Sequence, residues 1–437
     1  MPMGAREAAV SALGAYRRSG AWSDAYLNGL FRKENMEPRE RALATRLCCG
    51  VLQNLYLIDF RLAAYVKGGM EKLRPEVLDI LRVSAYQIMF MDRIPVSAAV
   101  NEGVSLAKRL ANKGAAGLVN AVLRRVGENR GRYPEPKEPW IKYSHTKEWY
   151  DYFSALIGDE NTERLMAADN EPQTITIRAN PLRCTPSELE ESLSAQSIGF
   201  ERHAWLADCF DILRAGDITE LNAFKSGLAY VQDAAAALAV LAAEPKPGER
   251  VLDACSAPGG KSFLSAMLMN NSGEILSCDL HPNKLRRVED GAERLGISII
   301  STAPLDASRF RPELEERFDL VIADVPCSGM GVIGKKPEIR FKRFEDIASL
   351  PEIQYNILEN LSRYVKPGGR LVYSTCTLVR EENEAVTSRF LAGSSGFERE
   401  ALDLPEPMGR REGGEITLWP FEYGTDGFYI CRLRKAK

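Results

Sequence analysis

Two cysteines stand where chemistry is possible. Cys327 lies in Asp324-Val325-Pro326-Cys327, and Cys376 in Ser374-Thr375-Cys376-Thr377. Each follows a short apolar run, Phe318 to Ala323 and Arg370 to Tyr373, that reads as a buried parallel strand. A third run, Arg250 to Ala254, ends in Cys255-Ser256-Ala257-Pro258-Gly259-Gly260-Lys261. Ligands of open α/β sheets sit outside the carboxyl ends of the strands, so all three ends should face one crevice. A glycine loop for a nucleotide-like cofactor beside two strand-end thiols points to covalent catalysis on a second substrate.

Two thiols suit a particular reaction. Carbon 5 of a pyrimidine is a poor nucleophile and does not attack a methyl sulfonium unaided. A thiolate that adds to carbon 6 makes carbon 5 enamine-like, and the methyl group can then transfer. The adduct must afterwards lose the carbon-5 proton and expel the enzyme, so a second group acts in release. An acid such as Asp324, three residues before Cys327, can hydrogen-bond the ring at N3 and N4. The alternative is that both cysteines are small buried residues at strand ends; the glycine loop beside them tips the balance toward catalysis. Which thiol attacks stays open at this point, because DNA cytosine methyltransferases use a Pro-Cys cysteine, the pattern at Cys327.

Asp279 ends the strand-like Glu274 to Cys278 and falls 19 residues after Gly260, close to the spacing of a ribose-binding carboxylate. Lys261 opens a helix, where the dipole disfavours a positive charge, so a contact with a cofactor or nucleotide oxygen is the better explanation than a solvated side chain. Asp306 follows a short strand-like stretch, Ser298 to Ser301; its structural alternative is a helix N-cap.

The motifs Cys255 to Lys261, Asp324-Val-Pro-Cys-Ser-Gly329 and Ser374-Thr-Cys-Thr377 closely resemble the signatures of S-adenosylmethionine-dependent RNA 5-methylcytosine methyltransferases. Lys335-Lys-Pro-Glu-Ile-Arg340 and the tail Gly424-Thr-Asp-Gly-Phe-Tyr429 are similar to the same family, and several motifs occur in the right order. The resemblance implies Cys376 as nucleophile and Cys327 as the cysteine of product release. It also implies an S-adenosylmethionine site on Cys255, Ser256, Ala257, Pro258, Gly259, Gly260 and Lys261. Asp279 would then lie on the ribose hydroxyls, Asp306 near the adenine, and Asp324 at the reacting end. The chain departs from the family pattern at Gly334, where a basic residue is expected, at Thr377, more often serine, and at Thr146, more often proline.

The elements ahead of this site are helical. Val77, Leu78, Leu81, Ala85 and Ile88 form one apolar stripe, and similar stripes run over 5–16, 38–66 and 115–126, with prolines opening the helices near Pro75 and Pro95. Leu81 to Glu102 and Gly117 to Arg124 resemble the NusB-like RNA-binding domain that precedes the catalytic part in bacterial ribosomal RNA cytosine methyltransferases. That order implies a cytosine of small-subunit 16S ribosomal RNA as the target; transfer RNA, another RNA, or a non-catalytic RNA-binding assembly role are the competing functions. Residues 1–132 carry 21 Lys and Arg against 12 Asp and Glu, while the remainder carries 36 against 48, so a basic module that grips a polyanion is joined to an acidic body.

The polar stretch Gly127 to Pro139 is the linker candidate, followed by a helix over 148–170, a strand over 174–178 and a helix over 186–196. The expected fold is multi-domain: a NusB-like all-α domain (1–132), a linker with a small α+β RRM-like subdomain (133–231), and an α/β Rossmann-like methyltransferase (232–437). The segment 427–433 suits a late antiparallel strand. Hydrophobic residues make up 45% and charged residues 27%, ordinary for a soluble protein, and no stretch reaches the ~18 apolar residues of a membrane span. Nine cysteines without a secretory signal read as reduced cytoplasmic thiols, and only three histidines with no Cys-x-x-Cys argue against a metal site. A cytoplasmic monomer acting on RNA is the expectation.

Overall fold

The computed structural model describes residues 3–214, 217–394 and 396–437. The chain forms two compact units, one of residues up to Glu171 together with Ile333–Lys342, the other of Pro172–Val332 and Arg343–Lys437. Among the described residues no helix is long and apolar enough to cross a membrane.

The first unit is all-helical. Its principal helices are Ala5–Ser19, Ser23–Lys33, Pro38–Gln53, Leu55–Ala63, Pro75–Phe90, Val96–Leu110 and Lys113–Glu128. Pro38 and Pro75 occupy first-turn positions, where no backbone donor is lost, and the Asn112 side chain accepts from the Ala115 amide to cap the helix behind it. Leu47, Ile58, Leu62, Ile80, Leu81, Val119 and Leu123 meet in a fully buried core. The stripe over 38–66 is two helices that part at Asn54. The single helix expected over 148–170 is likewise two, Lys147–Ile157 and Asp159–Ala168, because Gly158 between them takes φ 80°, outside helical geometry. Thr146 caps the first of these through the Trp149 amide, a use for the hydroxyl that stands where proline is more common.

The ten residues Ile333–Lys342 are foreign to this unit in sequence but integral to it in space. Ile339 and Arg340 are buried, and Glu338 accepts from the Ser23 amide at 2.8 Å. The Arg340 guanidinium donates to the carbonyls of Gln53 (2.8 Å) and Tyr143 (3.1 Å) and to the Asn170 side chain (2.9 Å).

The second unit opens with a small sheet of β1 (Ile175–Ala179), β2 (Gly199–Arg202), β3 (Cys209–Arg214) and β4 (Ala229–Val231), in the order β2-β3-β1-β4 and antiparallel throughout. The helix Pro186–Ala195, opened by a capping box of Thr185 and Glu188, buries Leu189 and Leu193 in the same apolar cluster as Ile177 and Phe210.

The larger sheet carries the crevice. Its strands are β5 (Arg250–Asp253), β6 (Glu274–Asp279), β7 (Ile300–Pro304), β8 (Phe318–Asp324), β9 (Val365–Thr375), β10 (Phe397–Arg399), β13 (Glu415–Leu418) and β14 (Phe428–Lys435); β11 (Leu402–Asp403) and β12 (Arg410–Arg411) make a separate ribbon. The order is β10-β14-β9-β8-β5-β6-β7, with β13 also on β14. Strands β5 to β9 pair in parallel, and β14 is antiparallel to β9, as expected for the final strand. The chain runs outward from β5 through β6 to β7, then returns to start again at β8 on the other side of β5. That reversal between β5 and β8 opens a crevice at their carboxyl ends. Buried Val251, Leu252, Leu320, Val321, Ile322, Leu371 and Val372 make the central strands apolar on both faces, as a covered parallel sheet requires.

Candidate active site

The glycine loop sits at the reversal. After β5, the Ser256 amide donates to the Cys278 carbonyl at 2.7 Å, tying the loop to the end of β6, and the Gly259 amide turns back to the Ser256 carbonyl at 2.7 Å. Gly259 takes φ 113°, and a Cβ there would lie 2.4 Å from the Phe263 ring, so only glycine fits. The helix Gly260–Leu268 begins at once, its amino-terminal end at the crevice, which favours negative or electron-rich ligand atoms. A Cβ at Gly260 would meet nothing closer than the Gln232 side chain at 3.7 Å. Asp253 Oδ1 and Ser256 Oγ are buried without a hydrogen-bond partner. Burial raises the Asp253 carboxyl to about 6, against the Ser262 hydrogen bond and the Lys261 charge.

The strand register brings the reacting groups together. Asp324 on β8 lies opposite Ser374 on β9, so the two cysteine loops leave the sheet at the same level. Asp324 accepts from Lys261 Nζ at 2.7 Å through one oxygen and from Ser374 Oγ at 2.8 Å through the other. Burial pulls the Lys261 ammonium down, but the Asp324 charge and hydrogen bond outweigh it and hold Lys261 above the ordinary lysine value. Lys261 Nζ also lies 5.3 Å from the centre of the Phe428 ring, at the start of β14.

Cys327 Sγ and Cys376 Sγ are 3.3 Å apart. The hydrogen bond shared with Cys327, joined by the Lys261 ammonium, lowers Cys376 from the ordinary thiol value, against burial and the Asp324 charge. Cys327 is pushed far up by that same hydrogen bond, then by burial and by the charges of Cys376 and Glu382. Burial likewise pushes Cys255 up, the Asp324 charge adding to it. Of the three strand-end thiols, only Cys376 is shifted toward the thiolate, the form that attacks carbon, while Cys255 and Cys327 are shifted away from it.

Asp279, at the end of β6, is nearly buried and accepts from the His281 amide at 2.9 Å. Asp306 follows β7, next to Leu305, whose amide donates to the Asp279 carbonyl at 3.1 Å. Asp306 is not a helix N-cap. It accepts from the Ser308 amide (3.1 Å) and hydroxyl (2.6 Å) in a tight turn, with Arg309 Nε at 3.1 Å, and the Ser308 hydrogen bonds lower its pKa.

Sequence inspection missed several residues that shape this crevice. Gly331 and Gly427 stack backbone on backbone: the Gly427 amide donates to the Gly331 carbonyl at 2.7 Å, the Gly331 amide donates to the Cys376 carbonyl at 3.0 Å, and a Cβ on Gly331 would fall 1.9 Å from the Gly427 oxygen. The tail motif thus packs against both cysteine loops, and two glycines separated by the whole of β9 give no local sign of it. Glu382, Asn383 and Gln354 were also overlooked, although Glu382 is a fully buried acid.

A doubly wound sheet with a glycine loop at its reversal and an acid ending the neighbouring strand is the architecture of an enzyme that takes a nucleotide-like cofactor. The family model described as 16S rRNA methyltransferase RsmB/F matches residues 240–434, the NusB family model residues 3–128, and the RsmF/B-like ferredoxin-like domain residues 145–219. The chain is 36% identical to the probable ribosomal RNA small subunit methyltransferase B of Bacillus subtilis (strain 168), covering 98% of each, and 32% identical to the probable ribosomal RNA small subunit methyltransferase B of Synechocystis sp., covering 99% of each. Among solved structures, that of PH0851 superposes with a TM-score of 0.80 at 29% identity, covering 99% of this chain and 98% of that one. A methyltransferase homologue from Pyrococcus horikoshii gives a TM-score of 0.59 at 30% identity, over 68% of this chain and 97% of the other. The chain belongs to the RsmB/F family of 16S rRNA methyltransferases. The NusB-like and methyltransferase parts expected from the sequence are matched, and the small α+β subdomain expected between them is matched by the ferredoxin-like domain.

Proposed function

We propose that this protein methylates carbon 5 of a cytosine in small-subunit (16S) ribosomal RNA, with S-adenosylmethionine as methyl donor and Cys376 as a covalent nucleophile. The observation that carries this is the pair of sulfurs 3.3 Å apart, with the Cys376 pKa lowered and the Cys327 pKa raised. A cofactor of that kind fits the residues present: Ser256 Oγ and Asp253 Oδ1 are buried and unpartnered beside the glycine loop. Residues 255–261 would hold it, with Asp279 toward the ribose, Asp306 toward the adenine and Asp324 at the reacting end. When bound there, S-adenosylmethionine supplies an electrophilic methyl group on a sulfonium.

The protein's own groups account for the rest. The Cys376 thiolate adds to carbon 6 of the base, and the electron pair of the ring double bond moves toward carbon 5, which becomes nucleophilic. Asp324, fixed by Lys261 and Ser374, is placed to hydrogen-bond the ring as charge shifts through it. After methylation, carbon 5 must lose its proton. The electrons of that bond restore the ring double bond, and the carbon–sulfur pair returns to Cys376. Once Cys376 is bonded to carbon, the Cys376 hydrogen bond and charge no longer raise Cys327, so the Cys327 thiol can lose its own proton to solvent and accept the one from carbon 5.

The division into 1–132, 133–231 and 232–437, a cytoplasmic monomer as the working form, and a polyanion-gripping role for the basic first part belong to the same proposal. Arg18, Arg32, Lys33, Arg46, Lys108, Arg124 and Arg125 are exposed on that part, so RNA affinity should fall steeply with salt.

The test uses the two thiols separately. With RNA and cofactor, Cys376→Ala should abolish methylation and form no adduct, whereas Cys327→Ala should accumulate a protein–RNA adduct that survives a denaturing gel. Near-normal turnover in both variants would leave the cysteines structural. An adduct in Cys376→Ala alone would move the nucleophile to Cys327. Bisulfite mapping of ribosomal and transfer RNA from cells lacking the gene identifies the target, and a lost mark on transfer RNA alone would overturn the ribosomal assignment.

A further inference from the structure

Around the thiol pair runs a closed polar frame that the reaction described above does not use. The Glu382 carboxylate accepts from the Ser328 amide at 2.8 Å and from Gln354 Nε2 at 2.8 Å, and Gln354 Nε2 also donates to the Pro326 carbonyl at 3.0 Å. Pro326 and Ser328 are the two neighbours of Cys327. On the other side, Thr375 Oγ1 donates to Asn383 Oδ1 at 2.6 Å and Asn383 Nδ2 donates to the Thr377 carbonyl at 2.9 Å. Thr375 and Thr377 are the two neighbours of Cys376. Ser328 Oγ and Thr377 Oγ1, 2.7 Å apart, close the frame between the two loops. The Tyr373 hydroxyl fastens its centre from β9 by donating to the Glu382 carbonyl at 2.6 Å. Glu382, Asn383, Gln354, Ser328, Thr375 and Thr377 are all buried.

A buried carboxylate is costly; among the described residues Glu382 has no cationic partner, and two amide donors, with the Thr377 hydroxyl at 3.5 Å, fix it in one place. The cost would be pointless for packing, because a leucine would fill the space. We propose that Glu382 is a positioning residue for the thiol pair: it clamps the Cys327 loop and, through Ser328 and Thr377, sets that loop's distance from Cys376. This rests on the two-cysteine mechanism proposed above.

The placement has an electrostatic consequence. The hydrogen bond between the sulfurs is the largest influence on both thiols; the Glu382 charge adds to the upward shift of Cys327, and the Lys261 charge adds to the downward shift of Cys376. The remaining titratable groups that face the pair are Asp324 from β8, Tyr373 from β9 and Asp426 from the loop before β14. The productive arrangement has one thiolate and one thiol. A second ionisation would put two like charges 3.3 Å apart and end activity at high pH.

The experiment compares Glu382→Gln and Gln354→Leu with the wild-type chain in multiple-turnover methylation across pH, with S-adenosylmethionine binding measured by calorimetry. Glu382→Gln should lower kcat roughly 10- to 100-fold, the cost of misplacing a reacting group, while cofactor affinity and the KM for RNA stay the same. Its alkaline limb should move to lower pH, because a negative charge that adds to the upward shift of Cys327 is gone. Gln354→Leu, which keeps that charge, should lower kcat less and leave the limb in place; it also serves if Glu382→Gln does not fold. Unchanged kcat and an unmoved limb in Glu382→Gln would overturn the proposal, as would a loss of kcat matched by an equal loss of cofactor affinity in both variants. The Cys327→Ala adduct, run alongside, separates the two levels. An adduct there with a wild-type Glu382→Gln overturns the clamp alone, and its absence overturns the two-cysteine mechanism and the clamp with it.

Discussion

Lys261 and Arg340 are both cations taken out of water, and the protein treats them in opposite ways. Arg340, in the helical unit, donates to neutral acceptors: three backbone carbonyls and an asparagine oxygen. Burial lowers it to about 10, and the charges of Asp169 and Glu338 recover only part of that. Lys261, in the methyltransferase unit, has a carboxylate at 2.7 Å that keeps it above the ordinary lysine value in spite of burial. Carbonyls fix a guanidinium in space and spend its donors on structure. A carboxylate partner preserves a full charge at a chosen point, where its field reaches Cys376. The first arrangement holds a segment, the second tunes a nucleophile.

Removing either anchor should therefore fail differently. Asp324→Asn should leave a folded chain that has lost about 10²- to 10⁴-fold in kcat/KM, checked by methylation assays beside a thermal melt; a chain that unfolds instead would make Asp324 a structural anchor like Arg340. Arg340→Met should do the reverse, costing about 2–4 kcal/mol of stability through the orphaned acceptors, less whatever is regained by not burying a charge. Urea unfolding measures it, and unchanged cofactor affinity in the folded protein is expected. Lys261→Met should have the smallest effect, roughly a tenfold loss at neutral pH that recovers as pH rises. The sign follows from the ammonium, which holds the Cys376 pKa down: without it the thiolate forms later, and the acid limb of kcat/KM moves to higher pH. A limb that stayed in place would show that Cys327 alone sets the Cys376 ionisation.

What was legible in the sequence were features whose cause is local. The strand ends before Cys327 and Cys376, the turn forced at Gly259 and the acid closing β6 all sit within a few residues of the pattern that betrays them. Gly158 was as visible as Gly259, yet the apolar spacing on either side suggested one helix, because periodicity does not register a residue at positive φ. Glu382 looked like one of several acids in Arg380-Glu381-Glu382-Asn383-Glu384; only closure of β8 against β9 makes it differ from Glu381 beside it. The pairing of Gly331 with Gly427 and the burial of Arg340 depend on tertiary neighbours far off in the chain, 287 positions away in the case of Gln53. Asp306 was visible, but its local turn with Ser308 was not.

The helical unit has a consequence for how the chain is made. Its first 171 residues emerge early from the ribosome, but Ile333–Lys342, which supplies Arg340 and the acceptor for the Ser23 amide, is translated some 160 residues later. At typical synthesis rates that is a wait of roughly 8–30 s, during which the sites for Glu338, Ile339 and Arg340 stand open. The amino-terminal helices are thus a holding form until the methyltransferase sequence is half made. A nascent chain released before residue 342 lacks the partners that this segment gives to the Ser23 amide, the Gln53 carbonyl and the Asn170 side chain.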